Sequence, residues 1–223
     1  MTAVPPRSLK DQNRWQLWLT IAANFAVFYM ACQADALVEA GIIGLLTGAT
    51  NLLPIGLALI VTSVANGLLN AAMKARLVFF RWHHALPGHR AFVKYGPADP
   101  RIDMSRLKTV LGNKMPVSPE DQNRVWYRFY KELENEPAII QSHREFLFNR
   151  DYAAFAFLFL IGFGPASLWA TNFSHLAWIY CTFLLGQFLV VRHVAATYGV
   201  RFVTTVLARK AAKPPGVPAK RKI

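Results

Sequence analysis

Acidic side chains are scarce in this chain: 12 Asp and Glu stand against 25 Lys and Arg, a formal net charge of +13 over 223 residues. Cysteine is scarcer still. Cys32 and Cys181 both lie inside apolar runs; two isolated cysteines build neither a disulfide framework nor a zinc site, and they read as small buried hydrophobes. No glycine-rich phosphate loop, nucleophile elbow or zinc-helix motif is present, and strand and helix signals do not alternate, so the sequence names no catalytic, cofactor or metal residue. Charge itself is missing from long stretches. Residues 15–34, 40–73 and 152–191 contain no Lys, Arg, Asp or Glu. A charge at the middle of such a stretch would mark a proton-coupled pump or transporter, so its absence argues against that class.

The uncharged stretches are membrane-sized, since about 20 apolar residues cross the hydrocarbon core. They divide into four expected spans at 15–34, 52–73, 152–171 and 176–191. Trp15 and Trp18 stand where an interfacial aromatic belt would place them. The segment AGIIGLLTGATN (40–51), with Gly44 and Gly48 as a small-xxx-small pair, reads as re-entrant or interfacial. Pro54 falls in the first turn of span two, where a missing N–H costs little. Gly162, Gly164 and Pro165 are expected to bend span three. Span four is short, and Arg192 is expected to lengthen it by snorkelling to the interface. A basic N-terminus and an apolar run ending Ala34-Asp35-Ala36 also resemble a signal peptide; the run is long for one, and retention as span one is the expectation.

The distribution of charge orients these spans. The basic residues fall in three segments: 3 before span one, 14 in residues 74–151 and 8 in residues 192–223, with none in the two remaining links. Positive-inside sorting then puts both termini in the cytoplasm, which an even number of spans requires. The expected fold is all-α and integral to the cell (inner) membrane, with four transmembrane helices and helical cytoplasmic extensions. Residues 1–14 form a cytoplasmic N-terminus, 15–73 and 152–191 two transmembrane hairpins, 74–151 a cytoplasmic helical insert, and 192–223 a helix extension with a disordered basic tail. Sorting accounts for the net charge, so nucleic acid is not an expected partner. Anionic phospholipid is, at about 1 kcal/mol per basic residue near the surface.

The insert carries its own helix signals. Ser118-Pro119-Glu120-Asp121 is a helix start, with Ser as N-cap, Pro at the first position and acids in the first turn. Val125, Trp126, Phe129, Tyr130 and Leu133 follow on one face, opposite Arg124, Arg128, Lys131, Glu132 and Glu134. Pro137 starts a second helix whose Ile139, Ile140, His143, Phe146 and Leu147 lead into span three. Span two is expected to continue through Lys74 to about Trp82, and span four to about Lys210. Loops are expected at 86–88 and 96–100.

Five sets of residues stand out. Trp82, His83, His84, His89 and Arg90 crowd one segment; their spacing matches no metal-ligand pattern, and an interfacial loop, or a contact to a ligand or lipid headgroup, is the reading they support. Asp99, Arg101, Asp103 and Arg106 alternate in charge and are expected to pair with Arg124 or Arg128, with a ligand pocket as the sharper alternative. Arg150 and Asp151 form an ion pair at the start of span three, or a latch. Asn24, Asn66, Asn70 and Gln187 are amides within spans, suited to helix–helix hydrogen bonds or to a pore lining. Asn172-Phe173-Ser174 matches a glycosylation acceptor, but the link is too short and too close to the bilayer for that use.

At the level of architecture rather than motif, the plan resembles small bacterial membrane effectors, including those of anti-phage defence. That resemblance implies a non-enzymatic effector or signalling partner, taking a cytoplasmic protein or small ligand and working as a homo-oligomer. The alternatives are an oligomeric pore around Asn66 and Asn70, and a lipid-acting enzyme using His83, His84, His89 and Asp99 or Asp103.

Overall fold

Two helices account for much of the chain: Pro137–Ala170, of 34 residues, and His175–Ala212, of 38. The computed structural model describes residues 12–33, 38, 41, 43, 67, 69–112, 114–171 and 174–213. Every regular element among them is helical, as the sequence indicates. In chain order the main helices are α1 (Arg14–Cys32), α2 (Ala71–Phe79), α3 (Met104–Val110), α4 (Pro119–Leu133), α5 (Pro137–Ala170) and α6 (His175–Ala212). Three of them, α1, α5 and α6, are long and apolar enough to cross a membrane. Most of the expected span two, including Asn66 and the Gly44/Gly48 pair, lies outside the described residues, as do the 34–36 cleavage pattern, Asn172 and the 214–223 tail.

The contacts divide the chain into two units, Met1–Phe80 with Phe146–Ala196, and Arg81–Glu145 with Thr197–Ile223, so α5 and α6 each contribute to both. The first unit is built on aromatic packing. Phe155, Phe159 and Phe163 recur one turn apart on α5 and bury against Ile21 and Phe25 of α1 and Tyr180 and Leu184 of α6. Phe25 meets Phe163 edge-on at 4.9 Å and Phe159 at 6.3 Å, an arrangement adding roughly 0.5–1.5 kcal/mol per pair beyond buried area. The outer faces are apolar too: Trp18 and Leu19 on α1, and Trp178, Phe183, Leu189 and Val190 on α6, are exposed. Helices apolar all round lie in the core of a large protein or span a membrane. The helix of α5 runs through Gly162, Gly164 and Pro165 without a break.

α2 differs from the expected continuation of span two. Asn70 has extended backbone (φ −68°, ψ 166°), and its side chain accepts the Met73 N–H at 2.8 Å, so a new helix starts at Ala71. It stops at Phe79, short of Trp82, because Phe80 turns left-handed at φ +48°.

In the second unit the helix-start signal at Ser118 has its expected consequence: Ser118 Oγ accepts the Asp121 N–H at 3.1 Å, with Pro119 at the first position of α4. The buried face of α4 is Gln122, Trp126, Phe129 and Leu133. The Trp126 indole donates to the Val203 carbonyl at 3.3 Å, lies parallel to Tyr130 and meets Phe202 edge-on. The Tyr130 hydroxyl and His143 Nδ1 are 3.1 Å apart, and the His143 ring stacks on Phe202 at 4.7 Å. Gln122 is buried because its Oε1 accepts the N–H groups of both Phe92 and Val93 at 3.1 Å. That bond steadies the segment expected as two loops, which instead forms a 3₁₀ turn (Pro87–Arg90), a π turn (Ala91–Tyr95) and one helical turn (Gly96–Ala98). A Cβ at Gly88 would collide with the Asn123 side chain and approach the Trp126 ring at 2.9 Å, so glycine lets this turn sit close against α4.

Candidate functional site

The charges that close the uncharged stretches gather around α2. Lys74 is the first charge after residues 40–73, Asp151 the last before residues 152–191, and Arg192 the first after them. The Asn70 cap sets α2 so that Lys74 falls in its first turn, and Lys74 Nζ donates to Asp151 Oδ1 at 3.1 Å. The same oxygen accepts Arg150 Nε at 3.2 Å and Nη2 at 3.0 Å. The side chains of Lys74, Asp151 and Arg150 are only 5%, 2% and 15% exposed. One carboxylate thus serves two cations in a site with almost no water. Such a group is costly to desolvate and more costly to break, since removing one partner strands a charge. Arg150 and Asp151 are the ion pair expected from the sequence; Lys74, 77 residues distant, completes it.

Arg192 does not reach outward as expected. Its Nε donates to the Val78 carbonyl at 2.9 Å, and its guanidinium lies 3.9 Å over the Phe80 ring. The helix end cut short at Phe80 leaves carbonyls without intrahelical donors, and a cation there meets both that need and the negative end of the helix dipole. The ring adds a cation–π contact.

The remaining candidates disperse. Asn24 donates to the Thr20 carbonyl of its own helix at 2.9 Å. Asn70 is the α2 cap, and Asn66 lies outside the described residues. Gln187 Nε2 donates to the Tyr152 hydroxyl at 3.0 Å, while its Oε1 is buried with no partner among the described residues. Asp103 is the N-cap of α3, accepting the Arg106 N–H at 3.0 Å. Asp99 pairs with Arg101 through both carboxylate oxygens, at 2.9 and 2.6 Å, rather than with Arg124 or Arg128. Arg124 turns to Asp121 one turn away at 3.4 Å. The adjacent pair wins because two residues of one turn lose less freedom on meeting than two distant ones. The Arg101 hydrogen bond holds the Asp99 carboxyl well below the usual carboxylate range.

In the 81–90 segment, His84 Nε2 lies 3.2 Å from Glu120 Oε1, and the His84 and His89 rings are 5.1 Å apart. His89 Nδ1 is 3.1 Å from the Leu86 carbonyl, and burial is the main cause lowering its pKa from the ordinary 6.5. His84 holds a left-handed backbone at φ +48°, a strained conformation for a non-glycine residue. His83 and Trp82 are exposed. Arg90 Nη1 is buried without a partner among the described residues.

No protein-family model matches the chain, and comparison with curated proteins and with solved structures finds no match. The geometry of the Lys74–Asp151–Arg150 site is that of a clasp: buried charges on α2 and α5 that hold while paired and would be costly to bury when parted.

Proposed function

We propose that this chain is a four-span protein of the bacterial inner membrane, with both termini cytoplasmic, acting without catalysis as an effector or signalling partner whose cytoplasmic helices drive the spanning bundle. The observation that carries the reading is α6. Its first half turns Leu176, Trp178, Ile179, Phe183 and Leu189 outward, while the same unbroken helix ends among Arg201, Arg209 and Lys210. Water would leave that apolar surface uncovered, and lipid covers it. The fourth span, expected at 52–73, rests on the sequence, its last residues (71–73) belonging to α2. Anionic phospholipid, a cytoplasmic protein or small ligand, and further copies of the chain are its proposed partners.

The Lys74–Asp151–Arg150 clasp is the proposed switch element. A bistable device needs a contact that is stable when closed and costly when half open, and a buried charge triad meets that description. Asn70 is occupied as a cap, which weakens the alternative of an oligomeric pore around Asn66 and Asn70.

Topology is tested with single cysteines in a Cys32→Ser/Cys181→Ser background and a membrane-impermeant maleimide. Ser105→Cys is expected to stay unlabelled in intact cells and to label after permeabilisation; labelling from outside removes the reading. Effector action is tested by membrane potential during induction. Asp151→Asn, which opens the clasp, is expected to depolarise cells relative to the intact chain. Unchanged potential with both proteins, at equal membrane abundance, counts against it.

A further inference from the structure

The second unit contains a groove of about 560 Å³ that none of the contacts described above requires. It lies between the α5 and α6 segments of that unit. Its α5 lining recurs at 138, 141, 142 and 145, and its α6 lining at 201, 205, 208, 209 and 212, one face of each helix. The floor is open because the residues along it are small: Ala138, Ala208 and Ala212, with the hydroxyls of Ser142 and Thr205. A core position filled by Leu or Phe would close such a space, and interiors are normally packed to that density.

Three guanidiniums border this space. Arg101 is fixed from behind by Asp99 and by Thr204 Oγ1 at 3.2 Å, so its fork is pre-set. Arg201 has a loose pairing with Glu145 at 3.9 Å. Arg209 has no ion-pair or hydrogen-bond partner among the described residues. The neighbouring lysines are taken: Lys210 pairs with Glu132, and Lys213 with Glu136 at 2.8 Å. The groove thus keeps one neutralised, one half-neutralised and one bare arginine, beside two hydroxyls.

We propose that this groove binds a phosphorylated small molecule, with Arg201 and Arg209 on the phosphate and Arg101 as a fixed third donor. Planar guanidinium forks match phosphate oxygens two at a time. The volume is in the range of small-molecule sites, roughly 300–1,000 Å³, and larger than bare phosphate needs. The phosphate comes either from a soluble phosphorylated metabolite or from a phospholipid headgroup. The inference rests on the cytoplasmic placement of this unit given under Proposed function and names what that unit would receive.

The test uses the full chain purified in detergent, with ADP and inorganic phosphate as soluble probes by titration calorimetry. Phosphatidylglycerol retained on the chain is read by native mass spectrometry. Binding of ADP or phosphate with Kd below about 1 mM, weakened about 10-fold or more by Arg209→Gln and by Arg201→Gln, is the expected result for a soluble source. That loss corresponds to about 1.4 kcal/mol. Arg209→Lys is expected to fall between, keeping charge and losing the fork. Arg106→Gln, an exposed cation outside the groove, should leave binding unchanged. No soluble binding, with phosphatidylglycerol retention that Arg209→Gln abolishes, assigns the headgroup instead. The proposal is overturned if neither probe nor lipid binds, or if Arg106→Gln weakens binding as much as Arg209→Gln. Maleimide labelling at residue 105 is independent of these readouts, so failure of the groove and failure of the topology are told apart.

Discussion

Lys74 and Asp151 meet at 3.1 Å with both side chains almost wholly buried, joining the start of α2 to the middle of α5 across 77 residues of sequence. Asp151 is the hub, because its carboxylate answers both Lys74 and Arg150. Asp151→Ala should therefore destabilise the chain more than Lys74→Met. The first removes the carboxylate from Lys74 and Arg150 together, and breaking a buried pair costs about 3–5 kcal/mol, whereas the second leaves Arg150 on the carboxylate. Thermal unfolding in detergent, followed by tryptophan fluorescence, ranks the two. A Lys74→Met/Asp151→Ala double variant no worse than Asp151→Ala alone would show the expected coupling.

Gly88→Ala should loosen the turn that packs on α4. The added methyl has to displace the Asn123 side chain or the Trp126 ring, and overpacking of this kind costs typically 1–3 kcal/mol. Asn123→Ala removes the closer obstacle and is expected to recover part of the loss in the double variant. Full stability of Gly88→Ala on its own would mean the turn is not held against Trp126.

Ser118→Ala should cost about 1 kcal/mol, the usual worth of an N-cap. Ser118 Oγ accepts the Asp121 N–H, and Asp121 Oδ2 in turn accepts the Ser118 hydroxyl at 2.8 Å. Ser118→Asp should restore most of the loss, since it keeps an acceptor at the same place. Hydrogen exchange at the first turn of α4 reads the effect locally.

Burial lowers the His89 pKa, so its neutral form is the one the fold prefers. The unfolded chain then takes up the proton first, and stability is complete above the ordinary value of 6.5 and falls as pH drops below it. His89→Gln is expected to flatten the stability profile below the ordinary histidine pKa of 6.5. Asp99 acts in the same direction lower down. Its pairing with Arg101 contributes fully above the ordinary 3.8 and is lost only under stronger acid, so the two effects separate on the pH axis.

What the sequence disclosed and what it withheld follow a physical line. Ser118, Pro119 and Pro137 act on neighbours three or four residues away, so the starts of α4 and α5 were legible, as was the spacing of Trp126, Phe129 and Leu133. The helical class and the membrane-length helices α1, α5 and α6 came from composition and run length. Gln122 was not legible as a buried residue, because its partners, Phe92 and Val93, lie about thirty residues back. Asn70 was misleading for a local reason: an amide in an apolar run serves equally as interhelical donor or as cap, and only backbone geometry separates the two. The Lys74 clasp had a faint signal, since the charges that end uncharged stretches are natural candidates to meet. Of the arginine groove only Arg101 stood out, in the stretch read as a possible ligand pocket; Arg201 and Arg209, two turns apart on α6, lie about a hundred residues further on and carried no signal.

Arg192 is held by the Val78 carbonyl and the Phe80 ring, and a tethered guanidinium cannot ride up or down with the lipid headgroups. On the proposed four-span topology, the end of the last span is pegged to α2 by these protein contacts. A bilayer of another thickness must then be met by tilting the helices or by deforming the lipid around them, which costs fractions of a kcal/mol per Å. In that topology the peg would make hydrophobic thickness something the protein feels mechanically, favouring membranes that match it.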